Sequence, residues 1–256
     1  MISLYPDTWQ DLQNKVGKIL KQCEFYVEVG DKIKSIRSTI EIDVYAEEII
    51  DNRKYSIICE CKYWKNNIPQ IYVHALRTVV LDIGVNKAYI ITTSDFQKGS
   101  IDSIENTNIE LITWEEFQKL MFKSWYSNYF SKRLHDIIKS DYDLAAIQFY
   151  DNFDIIEKNF FYHLIDLYNC LQDISDHFPH PIFKVFPNHF ENIENKLPLS
   201  DKMVKSVLEE WDLIGCNLSN EIMTEINYSE FLRLLDEFAR PIYGELDKLN
   251  LHFDNE

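Results

Sequence analysis

The sequence predicts an α/β core with a mixed sheet over residues 1–122, followed by an all-α region over residues 123–256. Three observations carry this. Short stretches of period-two alternation recur in the first half and then stop. Helix-spaced segments fall between those stretches, the order that builds a sheet covered by helices. Beyond about residue 123, four long segments keep helical spacing alone: 134–150, 155–174, 200–213 and 229–251.

The elements follow in order. Apolar residues at 9, 12, 16, 19 and 20 predict an amphipathic helix from Trp9 to Leu20. Phe25 to Val29 reads as a strand that ends at Gly30-Asp31. Glu41 to Tyr45 and Ile57 to Lys62 alternate as two further strands, joined across a stretch containing the turn-forming pair Asp51-Asn52. After Ile68-Pro69 a helix runs through Val73, Leu76 and Val80 to a stop at Gly84. Lys87 to Thr93 is a buried strand, a short helix spans about Gly99 to Asn106, and Ile109 to Ile112 is the last strand. Thr113 followed three residues on by Glu116 is a capping box that opens another helix. The early strands suit an antiparallel meander. The later ones need crossovers and suit parallel pairing. Pro179, Pro181, Pro187 and Pro198 mark a loop-rich interruption in the helical half.

Composition narrows the class. No segment approaches about 18 consecutive apolar residues, so no transmembrane helix is expected. Met1 to Asp11 lacks a basic stretch followed by an apolar run, so no signal peptide is expected. Five cysteines, an odd number, fit a reduced cytoplasm. Cys59 and Cys61 are read as core packing rather than a metal pair. No glycine-rich phosphate loop appears, which argues against nucleotide hydrolysis. The net charge is −16, unevenly spread. Residues 1–119 hold 14 Lys+Arg against 18 Asp+Glu, and residues 120–256 hold 12 against 24. A basic surface normally neutralises phosphates, so the acidic second half is ill-suited to lie on DNA. His163, His177, His180 and His189 show no ligand spacing and are read as packing or loop residues.

The chemistry lies in residues 41–62. Asp43 sits on its strand opposite the face of Ile42 and Val44, and Glu60 and Lys62 share a face opposite Cys59 and Cys61. If the strands pair in register, two carboxylates and one ammonium converge. Two acids plus a phosphate suit Mg²⁺, which takes oxygen ligands and keeps several waters.

These residues resemble the active site of the PD-(D/E)xK nucleases, in particular the Mrr-like restriction endonuclease branch. The resemblance spans roughly residues 8–120. It rests on Glu41 to Ala46, Cys59 to Trp64, Tyr89 to Phe96 and Ile109 to Trp114. It implies a restriction-endonuclease-like fold and metal-dependent hydrolysis of DNA. Asp43 and Glu60 would bind Mg²⁺, with Mn²⁺ as a substitute, and the Cys61 backbone carbonyl would be a further ligand. Lys62 would orient the attacking water. The acid that the family often carries on the first helix falls at Gln13, which can bind through its amide oxygen or hold a water.

Several residues carry both a functional and a plain reading. Glu41 either joins the acidic face or is ordinary strand polarity. Gln70 and His74 share a helix face that would approach the phosphate, or are exposed helix polarity. Tyr63, Trp64 and Lys65, just past the motif, would touch the DNA backbone or a base, while packing is the alternative for Trp64. The hydroxyls of Thr92, Thr93 and Ser94 would contact phosphate or cap a turn. The expected role is prokaryotic defence against foreign DNA in the cytoplasm. The helical region would recruit a partner protein or form a homodimer. The alternative is a non-catalytic nuclease-fold module that binds nucleic acid or protein.

Overall fold

The computed structural model describes residues 1–139, 155–179, 193–216 and 218–253. It divides into two compact units, Ser3–Tyr129 and Phe130–Glu256.

The first unit is a five-stranded sheet flanked by helices. Helix α1 (Trp9–Gln22) is capped by Thr8, whose side chain accepts from Asp11 N at 3.1 Å. Strand β1 (Tyr26–Lys34) is longer than its sequence suggests. Gly30 does not end it but sits inside it at φ 65°, a conformation glycine adopts without steric cost. Strands β2 (Thr39–Ile50) and β3 (Arg53–Lys62) form a tight hairpin. Its two turn residues, Asp51 and Asn52, have φ of 49° and 62°, the twist that a two-residue connection requires. The stretch expected to connect Tyr45 to Ile57 is therefore mostly strand.

Helix α2 (Gln70–Ile83) ends at Gly84, at φ 78°. Then come β4 (Lys87–Thr92), a short α3 (Lys98–Asp102) and β5 (Ile109–Thr113). Helix α4 (Trp114–Trp125) opens with the Thr113/Glu116 capping box. The strand order is β1-β2-β3-β4-β5. The first two pairings are antiparallel and the last two parallel, as the spacing of the connections predicts.

Helix α2 covers one face of this sheet. Val73, Leu76 and Val80 pack there against Ile58, Ala88, Ile90 and Ile109. On α1 the buried side is Leu12, Val16, Gly17, Ile19 and Leu20. Gly17 lies so close to β1 that an added Cβ would meet Val29 Cγ2 at 2.5 Å.

Helices are the only regular elements among the described residues of the second unit. It contains α5 (Ser131–Ile138), α6 (Ile155–His177), α7 (Leu199–Lys202), α8 (Lys205–Ile214), α9 (Asn220–Thr224) and α10 (Tyr228–Phe253). The single helix expected over 200–213 is two, because the chain leaves helical geometry at Met203 (ψ 156°). Of the helix expected over 134–150, the residues from 140 on lie outside the described residues, as do His180 and His189. Phe130, Phe178 and Tyr228 form an aromatic cluster with centroids 5.1 to 6.3 Å apart. Cys170 and Cys216 are joined as a disulfide, while Cys23, Cys59 and Cys61 are free and buried. The pair lies 46 residues apart, and spacing alone does not reveal such a meeting. Among the described residues, no helix is long and apolar enough to cross a membrane.

Candidate active site

The site forms where the sheet loses one of its ladders. Main-chain pairing of β2 with β3 begins at Val44↔Cys59 and runs toward the hairpin. Pairing of β3 with β4 continues to Lys62↔Thr92. Over Glu60, Cys61 and Lys62, β3 is therefore held on one side only, and its other edge is open to the site.

Asp43 bridges that opening. Its Oδ2 accepts from Cys61 N at 2.7 Å, so a carboxylate stands where a strand carbonyl would otherwise be. Gly30 lies across from Asp43 on the β1 side, between the pairs Val29↔Val44 and Asp31↔Ile42. Strict alternation breaks here. Ile42 packs in the α2-side cluster with Ile58 and Ile90, which Val44 does not join. The simple picture of Ile42 and Val44 on one face, opposite Asp43, is corrected accordingly.

Helix α1 reaches the site twice, one helical turn apart. Gln13 Nε2 donates to Asp43 Oδ1 at 2.7 Å, and Trp9 Nε1 donates to the Cys61 carbonyl at 3.0 Å. Residues four apart share a helix face, so both follow from one orientation of α1. Gln13 is buried. Its contact to Asp43 runs through the amide nitrogen, not the oxygen that the sequence suggested as a ligand.

On the other side of Cys61, Lys62 Nζ pairs with Glu60 Oε1 and lies 5.2 Å from the centroid of the Tyr72 ring. The Lys62 side chain is only 15% exposed, so these two partners define its place. Tyr72 in turn meets Trp64 edge to face, with centroids 4.9 Å apart. Trp64 is thereby half-buried against the core.

Electrostatics follow the packing. Burial and then the Glu60 charge push the Asp43 carboxyl above its ordinary value. The Cys61 N–H, Gln13 and Lys62 pull the other way. Burial pushes the Cys59 and Cys61 thiols up, so neither side chain offers a thiolate, and both fill the core as the sequence implies.

The remaining sequence candidates spread out. Glu41 is exposed, across from Lys32. Lys65 and His74 are exposed. The Gln70 side chain lies over α3, with its Oε1 3.1 Å from the position of a Cβ on Gly99. The Thr92, Thr93 and Ser94 hydroxyls donate to the carbonyls of Lys62, Trp64 and Asn66 at 3.1, 3.2 and 2.9 Å. They pin the loop that follows the motif. Trp9 and Tyr72 are site residues that motif reading misses. Trp9 was detectable as the residue one turn before Gln13. Tyr72 carried no such signal.

Open strand ends presenting Asp43, Glu60 and Lys62 beside main-chain Cys61 make this a restriction-endonuclease-like domain. Residues 8–121 match the model of the Mrr_cat family, described as restriction endonuclease. Among solved structures the chain is similar to a protein of unknown function, AF1548. The identity is 17%, 82% of this chain and 100% of that one are covered, and the TM-score is 0.36. It is also similar to the DNA modification-dependent restriction endonuclease AspBHI. There the identity is 10%, 48% of this chain and 40% of that one are covered, and the TM-score is 0.31. No curated protein matches the sequence.

Proposed function

We propose that the chain is a cytoplasmic, divalent-cation-dependent endonuclease that hydrolyses DNA phosphodiester bonds in prokaryotic defence. The observation that carries this reading is the Asp43–Cys61 contact. It holds a carboxylate, a backbone carbonyl and the Glu60–Lys62 pair at one open strand edge.

The donor set suits Mg²⁺ or Mn²⁺. Among the described residues no group of three or more His, Cys, Asp or Glu side chains could hold an ion. What remains is two carboxylates, Asp43 and Glu60, and the Cys61 carbonyl. That is enough for Mg²⁺, which usually binds through one or two carboxylates and keeps its waters. A carboxylate has further lone pairs beyond the hydrogen bonds it accepts here. A bound divalent cation supplies positive charge to the phosphate and lowers the pKa of water.

The residues of the chain do the rest. Gln13 and the Cys61 N–H fix the two oxygens of Asp43. Trp9 fixes the Cys61 carbonyl. Tyr72 and Glu60 hold the Lys62 ammonium, which donates to the attacking water or to the developing charge on the phosphoryl oxygens. The second unit is assigned to a partner protein or to a second copy of the chain. Its exposed Leu213 (87%), Ile155 (76%) and Val204 (67%) support such a use.

The test is plasmid cleavage with Mg²⁺ or Mn²⁺, wild type beside Lys62→Ala and Asp43→Asn. Nicking or linearisation by wild type, lost in both variants and in chelator, is the expected result. Cleavage that survives in both variants would reject the site.

A further inference from the structure

Three aromatic side chains stand partly exposed around the end of β3: Tyr5 (44%), Trp9 (40%) and Tyr63 (39%). Large exposed rings are costly to leave in water, and here two of them are held in place. Tyr5 Oη donates to the Thr93 carbonyl at 2.7 Å. Thr93 N in turn donates to the Lys62 carbonyl at 3.1 Å. Trp9 Nε1 donates to the Cys61 carbonyl at 3.0 Å. Tyr63 follows Lys62 directly in the chain, and its phenol adds to the effects of burial and Glu115 that raise the Tyr5 hydroxyl. In both Tyr5 and Trp9 the polar tip is bonded inward, so apolar ring surface is what meets solvent.

Charge separates the ligands such a rim can serve. Binding that tracks the backbone of a duplex draws on cations lined along a groove. Residues 1–119 hold 14 Lys+Arg against 18 Asp+Glu, and the exposed Lys65 is the one lysine in the loop 63–67 that follows the motif. Unpaired bases offer another hold. Each has a π-face that stacks on an aromatic side chain whatever its identity, a contact worth about 1–3 kcal/mol per base beyond what backbone cations contribute.

We propose that Tyr5, Trp9 and Tyr63 form a stacking rim for the unpaired bases of single-stranded DNA beside the scissile phosphate. This rests on the reading of Asp43, Glu60 and Lys62 as the cleavage group, and it deepens that reading by naming the substrate class. A frayed end, a bubble or a displaced strand is bound through its bases. A closed duplex, with its bases stacked inside, gives the rim nothing to grip.

The experiment uses the full chain in chelator, so that binding is read without cleavage. Fluorescence anisotropy compares a short labelled DNA strand with a blunt hairpin duplex and a matched RNA strand. The expected result is at least about ten-fold tighter binding of the DNA strand than of the duplex. A comparable loss, roughly ten-fold, is expected in Tyr63→Leu and in Tyr5→Leu. Tyr63→Phe and Tyr5→Phe, which keep the ring, retain the affinity. Should Tyr5→Leu fail to fold, Tyr63→Leu decides alone, since that residue lies in an exposed loop. Equal binding of duplex and strand, unchanged strand binding in Tyr63→Leu, or tighter binding of RNA would each overturn the proposal. The two readings fail separately. Plasmid cleavage without ring-dependent strand binding leaves the nuclease and removes the rim. Ring-dependent strand binding with no cleavage in Mg²⁺ or Mn²⁺ leaves the rim and removes the nuclease.

Discussion

Gln13 Nε2 and Asp43 Oδ1 lie 2.7 Å apart, so a neutral amide on α1 orients a carboxylate that carries no fixed cation partner of its own. Groups that orient a metal-binding side chain typically contribute about 10–100-fold to affinity or activity. Gln13→Leu should therefore weaken Mn²⁺ binding by about that factor, measured by calorimetry without DNA. Unchanged affinity would show that Asp43 is positioned by Cys61 alone.

Tyr72 should matter through its ring rather than its hydroxyl. A cation held over an aromatic face gains about 0.5–2 kcal/mol. Removing the ring in Tyr72→Leu should lower kcat by roughly 2- to 30-fold, with little change in KM for DNA. Tyr72→Phe should restore most of the loss. Equal defects in Leu and Phe variants would count against a role for the ring on Lys62.

Acid should destabilise the second unit through His177. Its Nε2 bonds to the Lys196 carbonyl at 2.9 Å. Burial lowers its pKa below 6.5, partly opposed by that hydrogen bond, and the Lys196 charge lowers it further. Below 6.5 the unfolded chain takes up a proton that the folded site resists. This contribution is thus complete above 6.5 and is lost as pH falls from 6.5 through the folded value. Thermal melts between about pH 7.5 and pH 5.5 should show a falling Tm that His177→Gln flattens.

Gly17 is held by contact rather than by backbone conformation. Gly17→Ala improves helix propensity by about 1 kcal/mol but drives a methyl into Val29. Overpacking of this kind costs about 1–3 kcal/mol. The variant should melt lower than wild type. Gly17→Ala with Val29→Ala should melt higher than Gly17→Ala alone. Additive losses would place the strain elsewhere.

Thiol titration should separate the cysteines by unit. Cys23 is pushed up to about 11, chiefly by burial, and Cys59 and Cys61 are buried. The native protein should react slowly with a thiol reagent. Denatured without reductant it should show three thiols, and after reduction five.

Much of the first unit was written in local pattern. The Thr113 capping box, the Gly84 stop and the antiparallel-then-parallel order all followed from spacing and turn chemistry. Asp43 lies against Cys61 N, and Glu60 and Lys62 pair with each other on either side of that residue. What escaped was non-local or conformational. Gly30 reads as a terminator because glycine usually punctuates strands, yet here it lets β1 continue across from Asp43. The turn at Asp51-Asn52 is legible, but the length of its strands is not, because Glu47, Glu48 and Lys54 look like loop, whereas pairing across the hairpin keeps them in strand. Tyr72 reaches Lys62 only because α2 crosses back over the sheet. Cys170 and Cys216 meet only once α6 and the end of α8 are in place.

Cys61 divides its labour between side chain and main chain. Its sulfur is sealed in the interior at 0% exposure, while its N–H and C=O face Asp43 and Trp9. Replacing the side chain therefore edits interior volume and leaves the bonded main-chain amide in place, so an alanine scan is blind to it. Only a backbone edit, such as an ester in place of the Cys61 amide, would interrogate what the main chain contributes there.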